Sequence, residues 1–121
     1  MDAEPMTSVL FVSPDADLRA VATRVLQRAG ADVRAVAHGG HALLACVERG
    51  TYDVLVIEND LPEGPGGRMA ARLRRHCRNL HVVRMCDAGL PTAGEGIAVV
   101  RPFTADDLID AVYTRRPTSS R

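Results

Sequence analysis

Short apolar segments alternate along the chain with longer segments in which apolar residues recur every three or four positions. Residues 9–12 are all apolar, which is typical of a strand covered on both faces. Ser13, Pro14 and Asp15 then provide a cap and a first-turn proline for a helix. Gly30 is suited to end this helix. The apolar residues predicted to share its inner face are Leu18, Val21, Ala22, Val25, Leu26 and Ala29.

The alternation of strand and helix patterns continues through the rest of the chain. A predicted capping box of Thr104 and Asp107 begins the last helix. Such alternation implies one open parallel sheet with helices on both faces, and the strand at residues 54–57 is expected near its centre. The other strands are predicted at residues 33–37, 81–86 and 97–100. Two further helices are predicted at residues 39–48 and 67–76. The residues of the first of these helices that are expected to face inward are Ala42, Leu43, Ala45, Cys46 and Val47.

Length and composition fit a single globular domain. The chain has 121 residues, and its 46% of apolar residues are enough to bury a core. Aromatic residues make up only 3%, so the core is expected to consist mainly of Val, Leu, Ala and Ile. We predict one domain over residues 8–116, with a flexible tail at residues 1–7 and a tail or linker stub at residues 117–121.

The charges exclude several classes of partner. Because 15 basic and 15 acidic residues give a net charge of 0, no electrostatic footprint for direct binding of nucleic acid or of an anionic membrane is present. No apolar run approaches the roughly 20 residues of a membrane span, and the N-terminal residues lack the regions of a signal peptide. A cytoplasmic location is therefore expected, with Cys46, Cys77 and Cys86 as reduced thiols.

Two further groups of polar residues carry no predicted chemistry. His81 and Cys86 alternate with apolar neighbours on one predicted strand, so no zinc site is predicted. The glycine pairs are interpreted as turns, and neither cofactor nor metal is expected. An arginine cluster on the third helix is interpreted as a solvated face rather than a phosphate site; it consists of Arg68, Arg72, Arg74 and Arg75.

The predicted sheet itself indicates where a site would lie. On open parallel sheets, ligands bind at the carboxyl ends of the strands, beside the point where the strand order reverses. Several polar or reactive residues follow the predicted strands directly or within a few positions. These candidate site residues are Ser13, Pro14, Asp15, Glu58, Asp60, Cys86 and Arg101.

Two segments carry a resemblance to a known family. The strand-like residues 52–57 end at Glu58, and the Pro- and Gly-rich residues 59–67 follow. This stretch resembles the phosphorylation loop of response-regulator receiver domains, the CheY-like family, where a buried strand ends in the phosphate-accepting aspartate. The residues Arg101-Pro102-Phe103-Thr104 are similar to the family's Lys-Pro corner, which usually contains a cis peptide. The resemblance extends over about residues 9–113 and implies a flavodoxin-like, doubly wound sheet of five parallel strands in the order 2-1-3-4-5.

One element of that fold is expected to be shortened or lost. Only residues 87–100 lie between Cys86 and Arg101, and residues 97–100 are needed for the fifth strand. A mean helix alone takes about 11 residues, so the family's fourth helix does not fit. That helix forms half of the family's usual signalling and dimerisation face. The aromatic residue that often precedes the family's lysine is also absent, because Ala98 stands there.

The sequence departs from the family at every position of the phosphorylation site. The resemblance implies two acidic residues for Mg²⁺, an acceptor aspartate, a Thr or Ser, and a Lys, since phosphoryl transfer depends on positioning and charge neutralisation. Ser13 and Pro14 occupy the positions of the acidic pair, with Asp15 one place later. The acceptor position holds Glu58. Cys86 and Arg101 replace the hydroxyl residue and the lysine.

We therefore expect a phosphorylation-independent, receiver-like interaction domain of a bacterial two-component-type regulator, without enzymatic activity. Its partner would be another protein or a second copy of the chain. Glu58 either imitates the phosphorylated state, paired with Arg101, or only satisfies that charge in a decayed site. Two alternatives stay open: a true phosphoacceptor in which Asp15 or Asp60 replaces the missing acids, and a small-molecule sensor.

The first predicted helix offers a surface for such a partner. Its inner apolar residues are expected to be needed for the core, so that partner binding would depend on its outward side chains rather than on the family's usual face. These outward residues are Arg19, Thr23, Arg24 and Gln27.

Overall fold

The computed structural model describes residues 6–90 and 94–114. Seven strands and four helices follow one another in this part of the chain. They are β1 (Ser8–Val12), α1 (Ala16–Arg28), β2 (Asp32–Val36), α2 (Gly39–Arg49), β3 (Val54–Glu58), β4 (Asp60–Leu61), β5 (Gly64–Pro65), α3 (Gly66–Leu73), β6 (His81–Cys86), β7 (Ile97–Val100) and α4 (Ala105–Tyr113).

Five of the strands form one parallel sheet in the order β2-β1-β3-β6-β7. In chain order these are the five predicted strands, so the predicted order 2-1-3-4-5 is confirmed and β3 lies at the centre. The two remaining strands, β4 and β5, pair antiparallel as a small hairpin directly after β3. Every residue of β1 and β3 is buried, as expected for strands covered on both faces.

Two apolar layers cover the sheet, one on each face. Leu10 and Leu55 belong to the layer that also contains the inner residues of α2 and α3. Phe11 and Val56, which alternate with them along the strands, belong to the layer beneath α1 and α4. Phe11 is fully buried, while most of the remaining core residues are aliphatic, which agrees with the low aromatic content.

The ends of α1 differ in part from the prediction. Asp15 is the N-cap and its carboxylate accepts the backbone N–H groups of Asp17 and Leu18, so Pro14 precedes the cap instead of lying in the first turn. Gly30 ends the helix as predicted, with a φ angle of +97°. The N–H of Ala31 bonds back to the carbonyl of Leu26, which closes the turn in a Schellman arrangement.

Two residues predicted to face inward are exposed instead. Val21 is 52% exposed because it lies roughly a quarter turn away from the buried line through Ala22 and Leu26. Val47 is 57% exposed, since α2 buries a narrow stripe of small residues that ends at Cys46. The three- and four-residue spacing of the apolar positions therefore predicted both helices correctly, but it predicted a wider buried face on each helix than the structure has.

The chain between β6 and β7 contains no helix within residues 87–90 and 94–96, the part of it that the structure describes. The predicted loss of the fourth helix is confirmed to that extent. Gly96, at a φ angle of +81°, lies so close to β6 that an added Cβ would be 2.1 Å from the carbonyl oxygen of Val82. The described residues 87–90 and 94–96 are therefore irregular in a segment where the family has a helix.

The last helix begins as predicted. Thr104 and Asp107 form a reciprocal capping box, with hydrogen bonds of 3.0 and 2.9 Å between side chain and backbone. The peptide bond between Arg101 and Pro102, just before this helix, is cis. Residues 1–5 and 115–121, which hold most of the predicted N-terminal tail and all of the C-terminal one, lie outside the described residues. No helix of the described chain is long and apolar enough to cross a membrane.

We predict that Gly66→Ala destabilises the domain while its neighbour Gly67→Ala does not. A Cβ at Gly66 would lie 2.1 Å from the carbonyl oxygen of Glu58, whereas a Cβ at Gly67 would meet nothing within 4 Å. The first change is expected to cost about 2 kcal/mol of unfolding free energy through overpacking. The second is expected to stabilise α3 by roughly 0.5–1 kcal/mol. Urea unfolding followed by circular dichroism measures both, and equal effects would contradict the close contact.

Candidate functional site

The carboxyl ends of β1, β3, β6 and β7 meet at one edge of the sheet, because all four strands run parallel. Ser13 follows β1, Glu58 is the last residue of β3, and Arg101 follows β7. These are candidate site residues separated by more than 40 positions in sequence. The topology brings them together where ligands bind on sheets of this type.

The carboxylate of Glu58 is engaged at both oxygens. Nη2 of Arg101 lies 2.6 Å from each of them, and the hydroxyl of Ser13 donates to Oε2 at 2.8 Å. Only 11% of the Glu58 side chain is exposed. Short hydrogen bonds between charged groups are the strong ones, so this carboxylate is held in a single position. The predicted ion pair between Glu58 and Arg101 is present.

Arg101 also reaches beyond Glu58. Its Nη1 donates to the carboxylate of Asp87 at 3.1 Å, and its guanidinium carbon lies 6.0 Å from the centre of the Phe103 ring. Burial lowers the pKa of Arg101, but the hydrogen bonds and charges of Glu58 and Asp87 outweigh this effect and raise that pKa above its usual value. Arg101 is thus a permanent cation shared by two carboxylates.

Ser13 connects Glu58 to the start of α1. Its side chain is fully buried, and its hydroxyl oxygen accepts the N–H of Asp15 at 3.1 Å while donating to Glu58. Its carbonyl accepts Nη1 of Arg19 at 2.8 Å. Arg19 is therefore occupied at the site, and the expectation that it lies free for a partner on the outer face of α1 is wrong.

The side chains of the other predicted site residues lie outside this contact. The carboxylate of Asp15 caps α1, and Pro14 is exposed. Asp60 is exposed in the hairpin opposite Pro65, and its carboxylate forms no hydrogen bond or ion pair with another described residue. Cys86 is buried, with its sulfur 3.9 Å from Nη1 of Arg84. The structure thus joins the side chains of Ser13, Glu58 and Arg101 and does not bring those of the remaining candidates into the same contact.

These residues do not fit the Mg²⁺ that the receiver fold implies. Mg²⁺ requires hard oxygen ligands in near-octahedral geometry. At this edge of the sheet the carboxylate of Glu58 is bound to Arg101, that of Asp15 is used as a cap, and Pro14 offers no side-chain oxygen. Residues 6–90 and 94–114 contain no group of three or more His, Cys, Asp or Glu side chains that could hold a metal ion.

Arg84 lies next to the site and was not among the residues predicted for it from the sequence. It is only 3% exposed, in the middle of β6, and its Nη1 donates to the side-chain oxygen of Asn59 at 2.9 Å. Its Nε donates to the carbonyl of Glu95 at 2.8 Å, and Glu95 also pairs with Arg74. Arg84 therefore ties the residue after Glu58 to the loop that replaces the fourth helix. An arginine within an otherwise apolar strand, next to a missing helix, is the signal that indicates it.

The loop after β3 is also fixed from the side of α2. The carboxylate of Glu63 accepts the N–H of Gly39 at 2.5 Å, at the N-terminus of α2. The N–H of Gly66 donates to the carbonyl of Asn59 at 2.8 Å. Glu58 thus lies at the start of a loop that is anchored at both ends.

The three cysteines belong to the buried interior of the domain. Cys46, Cys77 and Cys86 are all buried free thiols. Burial, with the neighbouring Cys77 as the second cause, raises the pKa of Cys46 to about 12. Its thiol is therefore protonated at neutral pH, and the expectation of reduced core thiols agrees with this geometry.

No protein-family model matches the chain. In sequence it is 32% identical over 107 residues to the transcriptional regulatory protein TcrA of Mycobacterium tuberculosis, an alignment that covers 83% of this chain and 42% of TcrA. The chain therefore spans less than half the length of this relative.

Solved structures share the architecture over nearly the whole chain. A response regulator receiver protein from Sinorhizobium medicae has a TM-score of 0.77 and 24% identity, covering 88% of this chain and 91% of that one. The chemotaxis protein CheY4 of Vibrio cholerae has a TM-score of 0.77 and 21% identity, covering 89% and 97%. The chain has the CheY-like, flavodoxin-like receiver fold. The similarities in structure and sequence together support a receiver domain of a two-component response regulator.

We predict that Arg101→Met lowers the unfolding free energy by about 3 kcal/mol, because it leaves the nearly buried Glu58 carboxylate without its cation. Chemical denaturation measures the change. The exposed pair of Arg34 and Glu48 provides the control, and Arg34→Met is expected to cost less than about 1 kcal/mol. Losses of the same size in both variants would show that the Glu58–Arg101 pair does not hold the site together.

Proposed function

We propose that this chain is a receiver-like interaction domain that signals without being phosphorylated. The observation that carries the proposal is the state of Glu58, whose two carboxylate oxygens are already bound by Arg101 and Ser13. A phosphate-accepting carboxylate must instead present a free oxygen to the incoming phosphorus atom. Here the lone pairs face a permanent cation and a buried hydroxyl.

The missing metal ligands support the same conclusion. Phosphoryl transfer has little covalent chemistry for the protein to perform, so its rate depends on positioning and on neutralising charge with Mg²⁺. Ser13 and Pro14 supply no carboxylate for that ion, and Asp15 is engaged with the N–H groups of α1. The sulfur of Cys86 is a weak hydrogen-bonding group in place of a hydroxyl.

Glu58 is proposed to imitate a phosphorylated acceptor permanently. Its side chain is one methylene longer than that of aspartate, and it places a negative charge between Ser13 and Arg101. An anion held at this point keeps β1, β3 and β7 in one arrangement. In the alternative, Glu58 only satisfies the charge of Arg101 and carries no signal.

The wider role follows by analogy and forms part of the proposal. The relative TcrA is named a transcriptional regulatory protein. We place this chain in a regulator of a bacterial two-component-type pathway, acting in the cytoplasm through a protein partner or a second copy. The domain itself would contact no nucleic acid and would catalyse no reaction.

We predict that incubation with acetyl phosphate and Mg²⁺ leaves the intact mass of the chain unchanged. Millimolar Mg²⁺ alone is also expected to leave its melting temperature unchanged, since no carboxylate pair is free to bind the ion. A receiver domain with a complete acidic site serves as the positive control. A phosphoryl adduct, mapped by peptide mass spectrometry to Asp15, Glu58 or Asp60, would favour the true phosphoacceptor. A saturable Mg²⁺-dependent rise in melting temperature that disappears in Glu58→Gln would also overturn the proposal.

The two interpretations of Glu58 predict different behaviour for the double variant Glu58→Gln/Arg101→Met, which removes both charges of the pair. If Glu58 sets the signalling state, partner binding is expected to fall at least several-fold in a domain that remains folded. If the pair only balances charge, binding stays at the wild-type level. Titration calorimetry with the partner separates the outcomes, and a melting shift on screening metabolites would instead indicate a small-molecule sensor.

A further inference from the structure

Some arginines of the described chain are engaged with carboxylates or backbone carbonyls, as Arg74 is with Glu95 and Arg101 is with Glu58. Among residues 6–90 and 94–114, the exposed arginines without such a partner are Arg24 and Arg28 on α1, which shares a face of the sheet with α4, and a group on α3 and the turns after it. Three members of that group are spaced three or four positions apart. They form the α3 arginine surface, which consists of Arg68, Arg72 and Arg75.

The spacing of the α3 arginine surface places its charges on one side of the helix. Arg68 and Arg72 are four positions apart and Arg75 follows three later, so the side chains are neighbours. The N–H of Arg75 bonds to the carbonyl of Arg72 at 3.2 Å, which continues the turn beyond the end of α3. Like charges at this spacing destabilise a helix slightly, and an anionic partner would remove that cost.

A matching pair of carboxylates lies on α4. Asp106 and Asp110 are exposed, are four positions apart, and have no partner in the described chain, whereas Asp107 is used in the capping box. A groove of about 400 Å³ lies along β7; Asp110 lines it together with apolar residues such as Val99 and Phe103, whereas Asp106 lies outside it. We call this pair with the groove the α4 acidic surface.

The two surfaces cannot meet within one molecule. Leu73, on the inner side of α3, packs in the layer on one face of the sheet. Leu108, on the inner side of α4, packs in the layer on the other face. The sheet therefore separates the surfaces, and each is directed away from the other into solvent. Their charges can only be paired between two molecules.

We propose that the α3 arginine surface of one copy binds the α4 acidic surface of a second copy. Each side presents charges one helical turn apart, so Arg68 and Arg72 match Asp106 and Asp110 in number and spacing. Arginine stems can pack on the apolar wall of the groove while their guanidinium groups meet the carboxylates. The inference rests on the proposed function and names a second copy of the chain as its partner.

The geometry requires a head-to-tail assembly. A symmetric dimer through either surface would place arginine against arginine or aspartate against aspartate. Contact between two different surfaces instead produces a ring or an open chain of subunits. Because exposed ion pairs are individually weak and are screened by salt, the association is expected to appear at high protein concentration and low ionic strength.

The test is sedimentation velocity over a range of concentrations, at about 0.01 M and about 1 M salt, where the Debye length is about 30 Å and about 3 Å. Two double variants give both surfaces of a molecule the same charge. Both surfaces are acidic in Arg68→Glu/Arg72→Glu and basic in Asp106→Arg/Asp110→Arg. Either variant alone is expected to remain monomeric, while an equimolar mixture associates because opposite surfaces are restored. Arg24→Glu/Arg28→Glu, with the same change in charge at exposed positions four apart on α1, is the matched control and should associate like wild type.

Three results would overturn the inference: a wild-type chain that stays monomeric at low salt, a mixture that fails to associate, or a control that loses association equally. Binding of duplex DNA to a monomeric wild type through Arg68 and Arg72 would likewise replace it. The same samples are incubated with acetyl phosphate and Mg²⁺, and the intact mass of the chain is measured by mass spectrometry. A monomeric, unphosphorylated chain rejects self-association alone, whereas a phosphorylated chain rejects the proposed function itself.

Discussion

The negative charge at the end of the central strand is the constraint on which this end of the molecule depends. Glu58 is nearly buried, and a buried charge is tolerated only when it is paired and hydrogen-bonded. Arg101 and Ser13 meet that requirement and, in doing so, connect the ends of β1, β3 and β7 through side chains. Asp87 then balances the remaining charge of Arg101 from the start of the next loop. The end of the central strand is therefore joined through side chains to the ends of two other strands.

The loop between β6 and β7 shows how the fold adjusts to a lost helix. An apolar sheet face without its helix would be open to water. Here Arg84 lies on that face, and the segment from Gly94 to Gly96 packs directly over it. Gly94 would bring an added Cβ to 3.2 Å from the guanidinium carbon of Arg84, so this contact depends on the absence of a side chain. The hydrogen-bonded side chain of Arg84 and the closely packed Gly94 and Gly96 thus cover part of the sheet face that a helix covers in the family.

Much of the fold followed from the sequence because apolar runs and apolar periods report burial directly. The strands, their order and the capping box of α4 were predicted on that basis or from the family resemblance. The contact between Glu58 and Arg101 was predictable because both positions follow parallel strands. The choice of Asp15 over Ser13 as the cap of α1 and the exposure of Asp60 were not predictable, since a carboxylate that follows a strand can bind a helix end or point to solvent. The role of Arg84 was not predicted because a strand pattern can contain one charged residue, and the sequence does not show which groups that residue binds.

The triad of Ser13, Glu58 and Arg101 has a consequence for the replacements that this edge of the sheet tolerates. Glu58 accepts hydrogen bonds from both of the others, so a single replacement leaves a buried polar group without its bond, at a cost of roughly 1–3 kcal/mol. Shortening Glu58 to aspartate would withdraw the carboxylate from both partners at once. The three positions are therefore expected to tolerate joint replacement better than replacement one at a time.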